Sequence, residues 1–268
     1  MSTADSLRRA DAWLVGSTRA WFVVAVAGQV LFAIYIIVFY GGAVTAGAPQ
    51  RWNEVLPHGY EAGATVRNAI VGLHVLVAAI VTLGGPLQFV AAVRTRWPRV
   101  HHWNGRVYLA TAVIATVTGV LMKFGDGGGD PAQRAAILFN AVLIVGCAAL
   151  ALRHAIARDI VRHRRWATRL FLVVSGVWFF RVGLMAWILV NGGPVGFDAK
   201  SFTGPALVAI AWLQTLLPLA VFEAWWRVRA GRHVAARIAL ALGFVVLALA
   251  TMAGIGMAAH VLWLPHLR

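Results

Sequence analysis

The sequence predicts an all-α fold, a polytopic transmembrane bundle of seven helices with its N-terminus in the cytoplasm and its C-terminus outside. Three observations carry this. Hydrophobic residues make up 60% of the 268 and charged residues only 12%, about half the charge of a soluble domain of this size, and mean hydropathy is +0.76. The apolar residues fall in runs long enough, at about 1.5 Å per residue, to cross about 30 Å of hydrocarbon. The basic residues collect at alternate ends of successive runs. Lipid offers no hydrogen bonds to an exposed backbone, so each run is read as a helix. A net charge of +15 raises nucleic acid as a partner, but the arginines flank apolar runs instead of lining one soluble face, which excludes it.

In chain order, residues 1–20 form a polar cytoplasmic segment holding Arg8, Arg9 and Arg19. Residues 21–40 are the first span, too long for the apolar core of a signal peptide and read as a retained anchor. Residues 41–68, with Pro49, Pro57, Glu54 and Glu61, form an outer loop with room for a short interfacial helix. The remaining spans are placed at about 69–93, 107–122, 135–152, 166–190, 205–225 and 238–262, the third being shortest, with 263–268 as an outer tail; the seven-helix domain is thus 21–262. Of the 24 lysines and arginines, 17 lie at the ends assigned to the cytoplasm, six at the other ends, and Arg181 lies inside a span. That asymmetry holds at every successive loop and sets the orientation of a bacterial inner-membrane protein.

The turn after the second span holds Arg94, Arg96, Arg99, His101, His102 and Arg106 between Trp97 and Trp103. Arginine and tryptophan there anchor the chain to anionic lipid at the cytoplasmic headgroup layer. Histidine adds little to anchoring, so His101 and His102, with His154 and His163 on the next cytoplasmic turn and Arg106 and Arg169 beside them, are a candidate second site for a metal or haem iron. The competing reading of each histidine is a solvated or lipid-facing side chain. Cys147 lies alone in an apolar run and reads as a packing residue. The glycine-rich stretch 125–130 has no preceding strand and reads as a flexible outer loop. Gly176, Gly183 and Gly254 read as sites of close helix packing.

His74, then Gly85-Pro86-Leu87-Gln88-Phe89, Arg96, Pro98, His101 or His102, Gly105-Arg106-Val107-Tyr108, and finally His163-Arg164-Arg165-Trp166 with Arg169 and Arg181, occur in one order. This set resembles a bacterial family of predicted membrane proteins known as domain of unknown function 2306. The resemblance covers residues of about 70–190 and leaves spans one, six and seven outside. It implies a helical membrane bundle and no particular activity.

Ionisable groups inside a span are costly to insert and are functional candidates for that reason. Arg181 sits about nine residues, or roughly 13 Å, from the outer end of span five. No Asp or Glu lies at its depth, so its charge must meet carbonyls, a loop acid such as Asp126 or Asp198, an anionic or carbonyl-bearing ligand, or the ring of Trp178 one turn earlier. Snorkelling toward the outer surface is the plainer account. His74 and Asn140 fall at comparable depth and Gln214 nearer the middle, giving a candidate polar layer of His74, Asn140, Trp178, Arg181 and Gln214; interhelical hydrogen bonding alone would also explain the histidine. His74 as a haem ligand would need a second imidazole, and His260 is the one on offer at that end.

Two functions follow. One is a binding or carrier protein that takes a small anionic or carbonyl-bearing ligand, or a lipid, in the outer half of the bundle. The other is a membrane oxidoreductase component holding b-type haem or quinone through His74 and Arg181. A structural or assembly role is the third. The absence of visible repeats or broken helices speaks against a secondary transporter.

Overall fold

The computed structural model describes residues 3–56, 58–125 and 130–267; Pro57, Arg268 and the loop acid Asp126 lie outside them. The described chain is all helical. Helix α1 (Thr3–Ile36) continues through a π-helical turn (Ile37–Gly41) into α2 (Gly42–Thr45), and a 3₁₀ turn (Pro49–Glu54) leads toward α3 (Thr65–Leu87). A short α4 (Ala91–Arg96) joins α3 to α5 (Pro98–Gly125), followed by α6 (Pro131–Ile156), α7 (Ile160–Val174), α8 (Gly176–Asn191), α9 (Pro205–Ala230) and α10 (Val234–Ala258). A second π-helical turn (Ala259–Trp263) and a 3₁₀ turn (Leu264–Leu267) close the chain. Among the described residues six helices are long and apolar enough to cross a membrane, and α7 with α8, bent by 50°, brings the candidates to seven if the pair is one span.

Helix ends follow local chemistry. Asp130 accepts hydrogen bonds from the amides of Ala132 and Gln133, Asp159 from that of Arg162, and Pro98, Pro131 and Pro205 each open a helix where no amide is needed. Gly192 ends α8 with φ of 67°, a left-handed turn that costs glycine nothing.

The polar residues from Thr3 onward form the start of the 34-residue α1, where Leu14 buries against Ala241 and Phe244 of α10. Two expectations are corrected. The third span is not the shortest: α5 has 28 residues, since 98–105 wind into its first two turns instead of forming a loop. The fifth span is broken at Ser175, which removes the argument made from unbroken helices. The short outer helical piece does occur, with Trp52 buried and its Nε1 donating to the Tyr40 carbonyl at 3.2 Å.

The motif residues of the α3–α5 turn hold that turn closed. Asn104 Nδ2 donates to the Gly84 carbonyl at 2.8 Å and Gln88 Nε2 to that of His101 at 3.2 Å. Gly85 lies against Phe171 and Tyr108, where a methyl group would come within 2.9 Å of the Phe171 ring. Ion pairs fix the arginine-rich end. Glu223 of α9 takes Arg169 (2.8 and 2.5 Å from Nε and Nη2) and Arg165 (3.7 Å), while Asp11 of α1 takes Arg237 at 2.6 Å and Arg229 at 3.4 Å. Arg169 also lies over the rings of Trp166 and Phe222. Helices α1, α3, α5 and α6 pack in sequence, and α10 returns along α1.

Candidate functional site

The break in the fifth span organises the polar groups. Below it α7 leans on α6 and α9; above it α8 packs on α10. At the break Gln29 Nε2 donates to Ser175 Oγ at 3.0 Å, and Thr215 Oγ1 donates to Asn140 Oδ1 at 3.0 Å. All four residues are buried. Gly176 lies against the Asn140 amide, so a larger residue there would push α8 off α6. Asn140 is thus taken up by Thr215 of α9 and by the close approach of Gly176 at the break.

Arg181 is half-buried on α8. Its guanidinium reaches back one turn, with Nη1 3.4 Å from the Val177 carbonyl, and lies over Phe32 of α1 at 5.2 Å from the ring centre. It does not extend outward along its helix as a snorkelling arginine would, and no carboxylate among the described residues forms an ion pair with it. Asp198 is occupied elsewhere: the Ser201 amide and hydroxyl and the Lys200 amide donate to it, which holds its carboxyl below the usual range. The ring under Arg181 is Phe32 and not Trp178. Trp178 turns instead against Gly28 of α1 and buries its indole, leaving Nε1 unpartnered.

Arg181 lies within electrostatic reach of His74 of α3, of Tyr35 of α1 and of Tyr40 in the π-helical turn that follows, and Tyr35 is also within reach of Glu54; among the described residues no hydrogen bond joins His74 to Arg181. His74 Nδ1 stands 3.0 Å from Thr118 Oγ1, which also lies 2.7 Å from the Ile114 carbonyl. The Thr118 hydroxyl can donate to that carbonyl or to the ring, so either imidazole tautomer fits this contact. The two phenol hydroxyls make no hydrogen bond among the described residues. Tyr35, Phe32, Phe39 and Trp263 stack into an aromatic wall, capped by Arg51 over Phe39. Both π-helical turns end at this wall, a feature often found at functional sites. Sequence reasoning passed over Tyr35 and Tyr40, although two phenols near the outer end of an apolar run were a usable signal.

The other candidates scatter. Gln214 is 8% exposed, with Oε1 unpaired, and lines a groove on another face; Pro218, four residues on, supplies no amide to its carbonyl. His260 is exposed, so it does not complete a two-histidine pair with His74. At the arginine-rich end His101 and His102 lie 5.9 Å apart by ring centre. His163 Nδ1 donates to the Ala151 carbonyl at 2.9 Å, and His154 faces Asp159 at 3.8 Å. No group of three or more metal-ligating side chains forms among the described residues. Arg106 lies over Trp103, and Arg169 is held by Glu223.

These placements give the motif residues their structural meaning, and a family model for predicted membrane proteins, DUF2306, matches residues 71–226. The chain belongs to the DUF2306 family. The match runs beyond the expected limit near residue 190 and takes in α9, for a reason visible in the fold: Arg165 and Arg169 of the α7 motif close on Glu223 of α9. No curated protein and no solved structure matches the chain. DUF2306 membership makes this a multi-pass membrane protein and carries no reaction with it.

Proposed function

We propose that this DUF2306 protein binds a small anionic or carbonyl-bearing group in the outer half of its bundle, between α1, α3 and α8. One observation carries the reading: the Arg181 guanidinium, packed over Phe32 inside an apolar helix, forms no ion pair among the described residues. A guanidinium in lipid costs about 2.5–3.5 kcal/mol to insert, a cost that a bound anion or carbonyl would offset. The phenol hydroxyls of Tyr35 and Tyr40 and the His74 imidazole supply further hydrogen-bonding groups within its electrostatic reach. The arginine-rich ends lie in the cytoplasm of a bacterial inner membrane, so the pocket opens toward the outer leaflet.

The test starts from protein purified in mild detergent from its own membranes. Solvent extracts analysed by mass spectrometry are expected to hold an acidic or carbonyl-bearing compound that falls at least tenfold in Arg181→Gln and His74→Ala (about 1.4 kcal/mol or more) and persists in His260→Ala. Equal recovery from all four proteins overturns the proposal. The His74 imidazole supports a second reading, in which it ligates haem or accepts a hydrogen bond from a quinol. A dithionite-reduced absorbance band lost in His74→Ala would establish haem, and a quinone in the extract would establish the other.

A further inference from the structure

A groove of about 1050 Å³ runs along the face where α1, α7, α8, α9 and α10 fail to close on one another. The bend at Ser175 makes it. Because α8 follows α10 while α7 leans toward α6 and α9, a gap opens between α7 and α10, and the arginine-rich half of α10 packs on α1 through Leu14, Ala241 and Phe244. Phe171, Phe179, Leu217 and Leu247, one from each of α7 to α10, give the groove an apolar lining. It starts at the arginine-rich end and passes the level of the break.

Its mouth is cationic. Arg19 and Arg164 line it beside Trp225. Most arginines nearby are committed: Arg165 and Arg169 to Glu223, Arg229 and Arg237 to Asp11. The guanidinium groups of Arg19 and Arg164 form no ion pair or hydrogen bond among the described residues, and both side chains are exposed. Two uncommitted cations above an apolar slot, with tryptophan at headgroup level, complement an amphiphile with an anionic head and a long hydrocarbon chain.

We infer that this groove holds one anionic phospholipid of the surrounding leaflet, its phosphate between Arg19 and Arg164 and an acyl chain laid along α7 and α9 toward the break. This surface is separate from the Arg181 pocket and stands without it. The lipid fills the space that the bend opens, and so supports the broken span from outside the protein.

Native mass spectrometry of delipidated, detergent-purified protein tests this, with phosphatidylglycerol and phosphatidylcholine of identical acyl chains as probes. The wild type is expected to retain one phosphatidylglycerol in preference to phosphatidylcholine. Arg19→Gln/Arg164→Gln should lower phosphatidylglycerol affinity about thirtyfold, the product of two basic contacts. Leu217→Trp, which blocks the slot and leaves the cations in place, should also lose the lipid. Equal retention of both lipids by the wild type, or full retention in either variant, overturns the inference. Loss in Gln214→Leu with retention in the arginine variant would do so too, by assigning the groove to a ligand with a polar head at mid-membrane. A dimer that excludes the lipid would assign it to a second copy of the chain.

Discussion

Arg181 shows how a single residue reads differently in a chain and in a fold. In the chain it is a misplaced charge; in the fold its guanidinium lies on the face of Phe32 and within electrostatic reach of Tyr35, Tyr40 and His74. Stacking on a ring recovers part of the lost hydration, about 2 kcal/mol when the pair is dry. Arg169 is the opposite case. It has two contacts with one carboxylate oxygen of Glu223 and two aromatic rings around it, so its charge is already spent on structure. Glu223→Gln is expected to destabilise the protein by about 1.5–3 kcal/mol, the range for hydrogen bonds to a charged group, read as a lower midpoint of thermal unfolding in detergent. The loss comes from leaving Arg165 and Arg169 without a counter-charge, and His74 should not respond. An unchanged midpoint would mean that the rings alone hold the arginines.

At the scale of the element, the fifth span decides most of what is particular here. Ser175 and Gly176 are ordinary residues in an apolar run, and nothing in their order requires a break. The bend depends on partners far away in sequence, Gln29 for the serine hydroxyl and Asn140 for the space above the glycine. Once bent, α8 lies close enough to α10 that Gly254 touches the Val182 backbone, and a methyl group there would run into its carbonyl. Gly254→Ala is therefore expected to cost about 1–3 kcal/mol by overpacking, since a backbone cannot rotate away. Gly243, on the same helix, has nothing within 4 Å of an added methyl, and Gly243→Ala should leave stability unchanged or slightly raised. The two variants, compared by thermal unfolding in one detergent, separate close packing from helix propensity. Equal midpoints would remove the close α8–α10 contact from the account.

For the molecule as a whole, orientation rests on the distribution of 17 basic residues against six, and the fold gives that distribution a second use. Asp11 and Glu223 gather four of those arginines into clamps that join α1, α7, α9 and α10. A C-terminal fusion to alkaline phosphatase should be active in a bacterial host and the same fusion to green fluorescent protein dark. The reverse pattern would invert the bundle and move the Arg181 pocket to the cytoplasmic leaflet.

The helical nature of the apolar runs and the family could be read from the residues alone, because lipid demands long apolar helices and leaves no other solution for the backbone. His74 and Arg181 could be named as well, since an ionisable group in an apolar run declares itself. Which polar groups meet could not. Depth along a helix is encoded in sequence position, but the facing of each helix and the bend at Ser175 arise from contacts between residues as distant as Gln29 and Ser175. That is why Asn140 and Gln214, both at plausible depths, serve other contacts, while Trp178 packs in one cluster with Phe32 and Tyr35. Hydropathy fixed what crosses the bilayer; only side-chain packing among the helices decided what shares a pocket.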